Sequence, residues 1–207
     1  MSAPVLVLCS ASPRRRELLG GLGLEFVTLA PHLDETRKPD ESPEALAERL
    51  AREKALAGLA AFRRTSAAEA VAIAADTVVA IGEEDLAKPV DRADAARMLR
   101  ALSGRVHRVI TGVCVAGGPD VLGAELPLRS LFVSTEVRFS QLSEAQIGWL
   151  AASGDGDDKA GGYALQGLAG AFVERLDGSV SGVIGLPLAE TIRLLAEAGV
   201  QLPWEAK

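Results

Sequence analysis

The chain has 207 residues, 48% apolar and 24% charged, which suits one globular domain spanning residues 1–207 with a sizeable core. Its formal net charge of −6 argues against a general nucleic-acid-binding surface, so a polyanion would have to meet a local basic pocket. The longest apolar segment, Val71 to Ile81, is too short to cross a membrane and is interrupted by Asp76.

In chain order, Val5–Cys9 reads as a short buried strand. It runs through Ser10-Ala11-Ser12-Pro13-Arg14-Arg15-Arg16 into a helix start at Glu17-Leu18-Leu19. A strand at Phe26–Ala30 follows. Ser42-Pro43-Glu44 then opens a helix to about Ala61, with a cap, a first-turn proline and an early acid. Val71–Ile81 reads as a strand, and Asp91 caps a helix that ends near Leu102 with Gly104 as its stop. Two long strands, Val106–Ala116 and Leu131–Phe139, have no helical pattern between them and are expected to pair antiparallel. Ser143 and Gln146 have capping-box spacing ahead of a helix through about Ala152. A strand at Ala171–Leu176 precedes a loop, Gly182 to Leu188, and a last helix that starts near Pro187 and ends by Gly199. Alternating elements with one antiparallel pair imply a mixed α/β sheet flanked by helices.

The strand-to-helix junction at Ser10–Arg16 carries the strongest chemical signal. Free backbone N–H groups and the helix dipole favour an anion there, and arginine supplies a planar fork for phosphate oxygens. The plainer alternative is a capping serine, a first-turn proline and solvated basic residues. The junction is no Walker loop, because its glycines and terminal Lys-Ser/Thr are missing. Asp76 lies in an otherwise continuous apolar strand. A carboxylate there is costly to bury unless it meets a cation, a metal or several donors, or unless it caps a bulge. Asp34-Glu35 reads as a solvated acidic turn, or as a metal or water ligand if Asp76 lies nearby. Lys54 fits an ordinary surface lysine in an i,i+4 pair. Lys88, held extended by Pro89, suits a fixed phosphate contact or a surface position.

Between Asp157 and Gly167, glycines surround the single tyrosine, Tyr163. Gln166 offers there the paired donor and acceptor that a base edge requires; a flexible surface loop is the alternative. His32 and His107 read as structural or surface residues, and no serine-protease or zinc-ligand spacing is visible. Cys9 and Cys114 form no pairing pattern, and the early apolar run is too short for a secretory signal, so a cytoplasmic setting is expected.

Taken in order, these pieces resemble the Maf family of nucleoside triphosphate pyrophosphatases. The matching segments are Ser10-x-Ser12-Pro13-Arg14-Arg15, Asp34-Glu35, Arg52-Glu53-Lys54-Ala55, Ala75-Asp76-Thr77 and Lys88-Pro89. Further on come Leu102-Ser103-Gly104-Arg105-x-His107, Asp158-Lys159-Ala160-Gly161, Gln166-Gly167 and Gly185-Leu186-Pro187. The resemblance implies an elongated mixed sheet with two lobes around a nucleotide cleft, of the inosine-triphosphatase-like type. It implies hydrolysis of a nucleoside triphosphate to the monophosphate and pyrophosphate. Asp76 is implied as general base, Glu35 and Asp76 as ligands of a divalent cation, Mg²⁺ first with Mn²⁺ as the alternative, and a homodimer is implied as the assembly. Asp76 cannot easily be both tight ligand and base, and the sequence leaves that choice open. Ser10, Ser12, Arg15, Lys54 and Lys88 would hold the phosphates.

Arg14, Thr77 and Gln166 match the positions that set a preference for dTTP and UTP. The rival readings are a purine or 7-methyl-GTP pyrophosphatase and a nucleotide-binding regulator of cell division without catalysis. Two departures, Gly154-Asp155-Gly156-Asp157 and Ala164-Leu165, touch the loop that carries Gln166.

Overall fold

Alternating apolar runs fold into one sheet in the computed structural model, which describes residues 4–118 and 127–205. Its strands are β1 (Val5–Leu8), β2 (Val27–Thr28), β3 (Ala70–Ile81), β4 (Glu84–Leu86), β5 (Val106–Gly117), β6 (Leu128–Phe139) and β7 (Val173–Asp177). The helices are α1 (Pro13–Gly20), α2 (Pro43–Thr65), α3 (Arg92–Leu102), α4 (Glu144–Ser153), α5 (Val180–Ile184) and α6 (Leu188–Glu197). Strand order is β2-β1-β3-β5-β6-β7, with β1 parallel to β2 and β3 and the remaining pairs antiparallel. The mixed sheet and the antiparallel β5–β6 pair agree with the sequence reading. Most of the segment joining that pair, expected to be free of helix, lies outside the described residues.

The caps expected at Ser42, Asp91 and Ser143 are in place; the first helix begins at Pro13 rather than near Glu17, with Ser12 as its cap. The Ser12, Ser42 and Asp91 side chains accept from the backbone N–H three residues on, and Ser143 with Gln146 closes a full capping box. Pro187 lies, as expected, at the start of the last helix, as the residue before α6. Two short elements depart from expectation. The acidic stretch Glu83-Glu84-Asp85, which reads as a turn in the sequence, holds β4, which pairs with the end of β3 across a two-residue hairpin loop opened by Gly82 at φ +60°. Acidic residues are poor strand formers, and only an existing β3 edge stabilises them here. The expected loop from Gly182 begins inside α5, whose first turn is capped by Ser179 accepting from the Gly182 N–H at 3.0 Å.

Two features of β3 position everything that follows. β1 and β4 lie end to end along the same edge of β3, pairing with Ala70–Ile73 and Val79–Ile81. The edge between them is left open opposite Asp76 and Thr77. Period-2 alternation then sends these neighbours to opposite faces. Ala72, Ala74, Val78 and Ala80 share the Asp76 face and pack with α2. Ile73, Ala75 and Val79 share the Thr77 face. On that face the core is split. Ile73 and Ala75 belong to a cluster with Leu19 of α1 and Leu194 and Leu195 of α6, whereas Val79 belongs to one with α3 and α4. Thr77 stands where the two lobes meet.

The second lobe contains a buried polar pair. His107 is 1% exposed, its Nε2 lies 2.8 Å from the Tyr163 hydroxyl, and both rings meet Phe139 edge-on. Tyr163 is therefore a core residue, and the segment it belongs to is anchored rather than a free loop. Burial pulls the His107 pKa from 6.5 down to about 4. Between those values the unfolded chain binds a proton that the folded one refuses, so stability is lost as pH falls through that window. From pH 7 to pH 4 this residue should cost about 3 kcal/mol of unfolding free energy. Denaturant titrations of wild type and His107→Gln at the two pH values should show the variant losing correspondingly less.

Candidate active site

Helix α2 is the platform of the site. Leu46, Ala47, Leu50, Ala51, Lys54, Ala55, Gly58 and Leu59 form its buried stripe, so Lys54 occupies a position where an apolar residue is expected. The helix approaches the sheet closely at two points. A Cβ on Gly58 would overlap the Cys9 side chain, and a Cβ on Gly112 of β5 would overlap the Ala47 carbonyl. Lys54, between these contacts, is pressed onto β3 and is only 9% exposed. This corrects the surface-lysine reading: the tight seating of α2 on alanines leaves its stem no route to solvent.

Asp76 lies beneath it, 8% exposed, with Oδ1 in direct contact with Lys54 Nζ. Glu35 Oε1 reaches the same ammonium at 2.6 Å from the loop after β2. Burial raises the Glu35 pKa, but its hydrogen bond to Lys54 and the charges of Lys54, Lys88 and Arg15 outweigh this and hold it below the ordinary glutamate value. The loop itself is clamped to α2 by Arg49. Its Nε and Nη2 donate to the two carboxylate oxygens of Glu41 at 2.6 and 2.8 Å, and Nη2 also reaches the Thr36 carbonyl at 3.1 Å. That fork, opposed by some burial, brings the Glu41 pKa down to about 2. Asp34, by contrast, accepts from the Thr36 N–H at 2.9 Å and only shapes the turn.

The other wall is the β1–α1 junction. Ser12 caps α1, and Ser10 Oγ accepts from the Ser12 N–H at 3.1 Å. Arg15 turns inward. Its Nε donates to the Gly185 carbonyl at 2.8 Å, Nη2 to Thr77 Oγ1 at 3.1 Å and Nη1 to Ser10 Oγ at 3.4 Å. Burial lowers its pKa, against the opposing pull of Asp76 and Glu35. Much of the Arg15 fork is thus committed to joining α1, β3 and the end of α5. Arg14 faces across the cleft to Asp158, 3.8 Å away. Lys88 is exposed at the rim. Gln166 is exposed on the second lobe, where Asp155 accepts from the Leu168 N–H at 3.0 Å and so fixes the turn after it. The unusual Gly154–Asp157 segment therefore does contact the Gln166 loop.

Ser10, Ser12, Arg14, Arg15, Glu35, Lys54, Asp76, Thr77, Lys88 and Gln166 all line one cleft of about 700 Å³. That volume suits a small phosphorylated ligand. Sequence reading alone missed Thr111, whose hydroxyl lies 2.9 Å from that of Thr77. A threonine inside the apolar run Val109–Ala116 was its only signal.

A helix N-terminus, two arginines lining the cleft and a carboxylate pair bridged by an ammonium define the class: an α/β protein with a cleft built for a polyanion. Residues 5–198 match the family model described as Maf-like protein, and the chain belongs to that family. It is 52% identical over 203 residues to the dTTP/UTP pyrophosphatase of Anaeromyxobacter dehalogenans (strain 2CP-C), covering 98% of each chain. The dTTP/UTP pyrophosphatase of Myxococcus xanthus is 48% identical over 98% of this chain and 96% of its own. The nucleoside-triphosphatase / dITP/XTP pyrophosphatase of Mycobacterium abscessus aligns over 97% of this chain and 99% of that one. It does so at 15% identity with a TM-score of 0.41, too low to equate the two folds.

Removing the ammonium alone would strand a buried carboxylate. Lys54→Met should destabilise the protein by about 3 kcal/mol, and adding Asp76→Asn should recover much of that loss. Chemical denaturation of the two single variants and the double variant measures the coupling, and strictly additive losses would refute it.

Proposed function

We propose that this chain hydrolyses dTTP and UTP to the monophosphate and pyrophosphate, with Asp76 as the base. The observation that carries the reading is Asp76 itself: a buried carboxylate at the open edge of β3, tied to Lys54 and facing the same cleft as the α1 N-terminus. The names of relatives at about half identity over nearly full length support the same reaction and the same bases.

The triphosphate lies with its charge toward the α1 N-terminus, Ser10, Ser12 and the free part of the Arg15 fork. Lys54 and Lys88 neutralise the β- and γ-phosphates. Asp76 accepts a proton from a water, whose oxygen bonds the α-phosphorus as the α–β bridging bond breaks. The electron pair of that bond leaves on pyrophosphate. Such a transfer needs alignment and charge neutralisation more than covalent help from the protein. Arg14, Thr77 and Gln166 hold the nucleoside end.

A divalent cation, Mg²⁺ or Mn²⁺, fits the donors: Glu35 and Asp76 converge on a single positive centre, now the Lys54 ammonium. No cluster of three or more His, Cys, Asp or Glu side chains able to hold a metal occurs among the described residues, so substrate phosphates and water would complete its shell, as magnesium prefers. When bound, the ion would offset phosphate charge and polarise the α-phosphate. Cys9 and Cys114 are buried free thiols, and unpaired cysteines suit action in the reducing cytoplasm. No helix among the described residues is long and apolar enough to cross a membrane.

A panel of dTTP, UTP, CTP, GTP, 7-methyl-GTP and ITP with Mg²⁺, read for pyrophosphate and orthophosphate separately, tests the reading. Pyrophosphate should come chiefly from dTTP and UTP. A purine preference would overturn the substrate reading, and binding without turnover would favour the regulator. Asp76→Asn should lower kcat by at least about a hundredfold while leaving nucleotide affinity within a fewfold of wild type in calorimetric titration. Full activity in that variant would remove Asp76 as the base.

A further inference from the structure

Thr111 is buried, 1% exposed, on β5 directly across from Thr77. Its hydroxyl lies 2.8 Å from the Gly182 carbonyl oxygen and 2.9 Å from Thr77 Oγ1. A carbonyl only accepts, so the Thr111 proton goes to Gly182. Thr111 must then accept, and the Thr77 proton goes to Thr111. On its other side Thr77 meets Arg15 Nη2 at 3.1 Å, a group that only donates. The donors therefore run one way, from Arg15 to Thr77 to Thr111 to Gly182. Thr77 lines the cleft with no proton left to give, and what it offers a ligand is a lone pair.

Apart from the Arg15 guanidinium, Thr77 has apolar neighbours on its face of the sheet, which suit a base. Val79 and Val109 are paired in the sheet next to it, and Val183 and Ile184 of α5 line the same cleft. The charged group of Lys54, Asp76 and Glu35 belongs to the opposite face of β3.

We propose that Thr111 is a specificity-positioning residue. By taking the Thr77 proton it fixes Thr77 as a pure acceptor, which pairs with the ring N3–H of uracil or thymine. Cytosine, which presents a lone pair at N3, is met by a second lone pair and rejected. This inference rests on the reading of the cleft as a pyrimidine nucleotide site. An isosteric valine at position 111 would return the proton to Thr77 and let it donate to cytosine.

The test is calorimetric binding of non-hydrolysable α,β-methylene analogues of UTP and CTP to wild type, Thr111→Val, Thr111→Ala and Thr111→Ser. Wild type should favour the UTP analogue, and the valine and alanine variants should lose that preference by about tenfold or more. The serine variant, which keeps the hydroxyl, should retain it, an outcome that loss of packing alone would not produce. The ratio is measured on binding-competent protein, so partial unfolding of a variant does not imitate the effect. An unchanged ratio in the valine and alanine variants, an equal shift in the serine variant, or no uracil preference in wild type overturns the inference. Pyrophosphate release from UTP, measured alongside, tests the reaction separately. A uracil preference without release would defeat the proposed chemistry and leave the role of Thr111 standing.

Discussion

The contact between Lys54 and Asp76 constrains the rest of the molecule. Two opposite charges are held against an apolar sheet, where each alone would be costly, so each needs the other in place. Their meeting requires α2 to lie almost flush on the strands. That explains why alanines fill the helix-facing side of β3, why Gly112 stands beside Asp76, and why Gly58 sits over Cys9. Volume-for-volume, larger residues would lift the helix and draw the ammonium away from the carboxylate. Glu35 depends on the same ammonium, and Arg49 holds its loop close enough to reach it.

On the opposite face, a hydrogen-bond relay that begins at the Arg15 guanidinium serves a comparable purpose. Arg15 is oriented by the Gly185 carbonyl, Thr77 and Ser10, and Thr111 continues the relay to Gly182. These bonds link α1, β3, β5 and α5 across the point where the two cores meet. The cleft thereby acquires a charged side and a side of fixed hydrogen-bond direction, separated only by the pleat of one strand. The cleft lining sets Arg14, Arg15, Lys54, Lys88 and Lys159 against Glu35, Asp76, Asp85 and Asp158, a slight positive excess within a chain of net negative charge.

Much of this was legible in the residues. Helix starts were marked by Ser42, Asp91 and Ser143, because a side-chain oxygen there satisfies an N–H that nothing else reaches. Strands were marked by apolar runs, and Asp76 stood out because a carboxylate in such a run needs a partner. The signals failed where an element exists only through its neighbours. β4 is acidic and three residues long, and α5 contains a glycine; both are stabilised by what they pack against. Lys54 was misread because its neighbours in the sequence are charged, although its place in the helix stripe is apolar. The burial of Tyr163 was not legible, because glycines surround it in the sequence and its ring is enclosed by the distant His107 and Phe139.

By itself the sequence determined the local chemistry: which segments alternate, where most helices begin, that an anion suits the first junction, and that Asp76 needs a partner. Local rules suffice for these because each depends on residues within one turn or one strand. The tertiary structure decided which cation answers Asp76, that Arg15 points inward and Arg14 across the cleft, and which way the threonine protons run. Those depend on contacts between residues such as Lys54 and Asp76, or Arg15 and Gly185, that lie far apart along the chain. Only the packing of α2, β3, β5 and α5 brings them within reach.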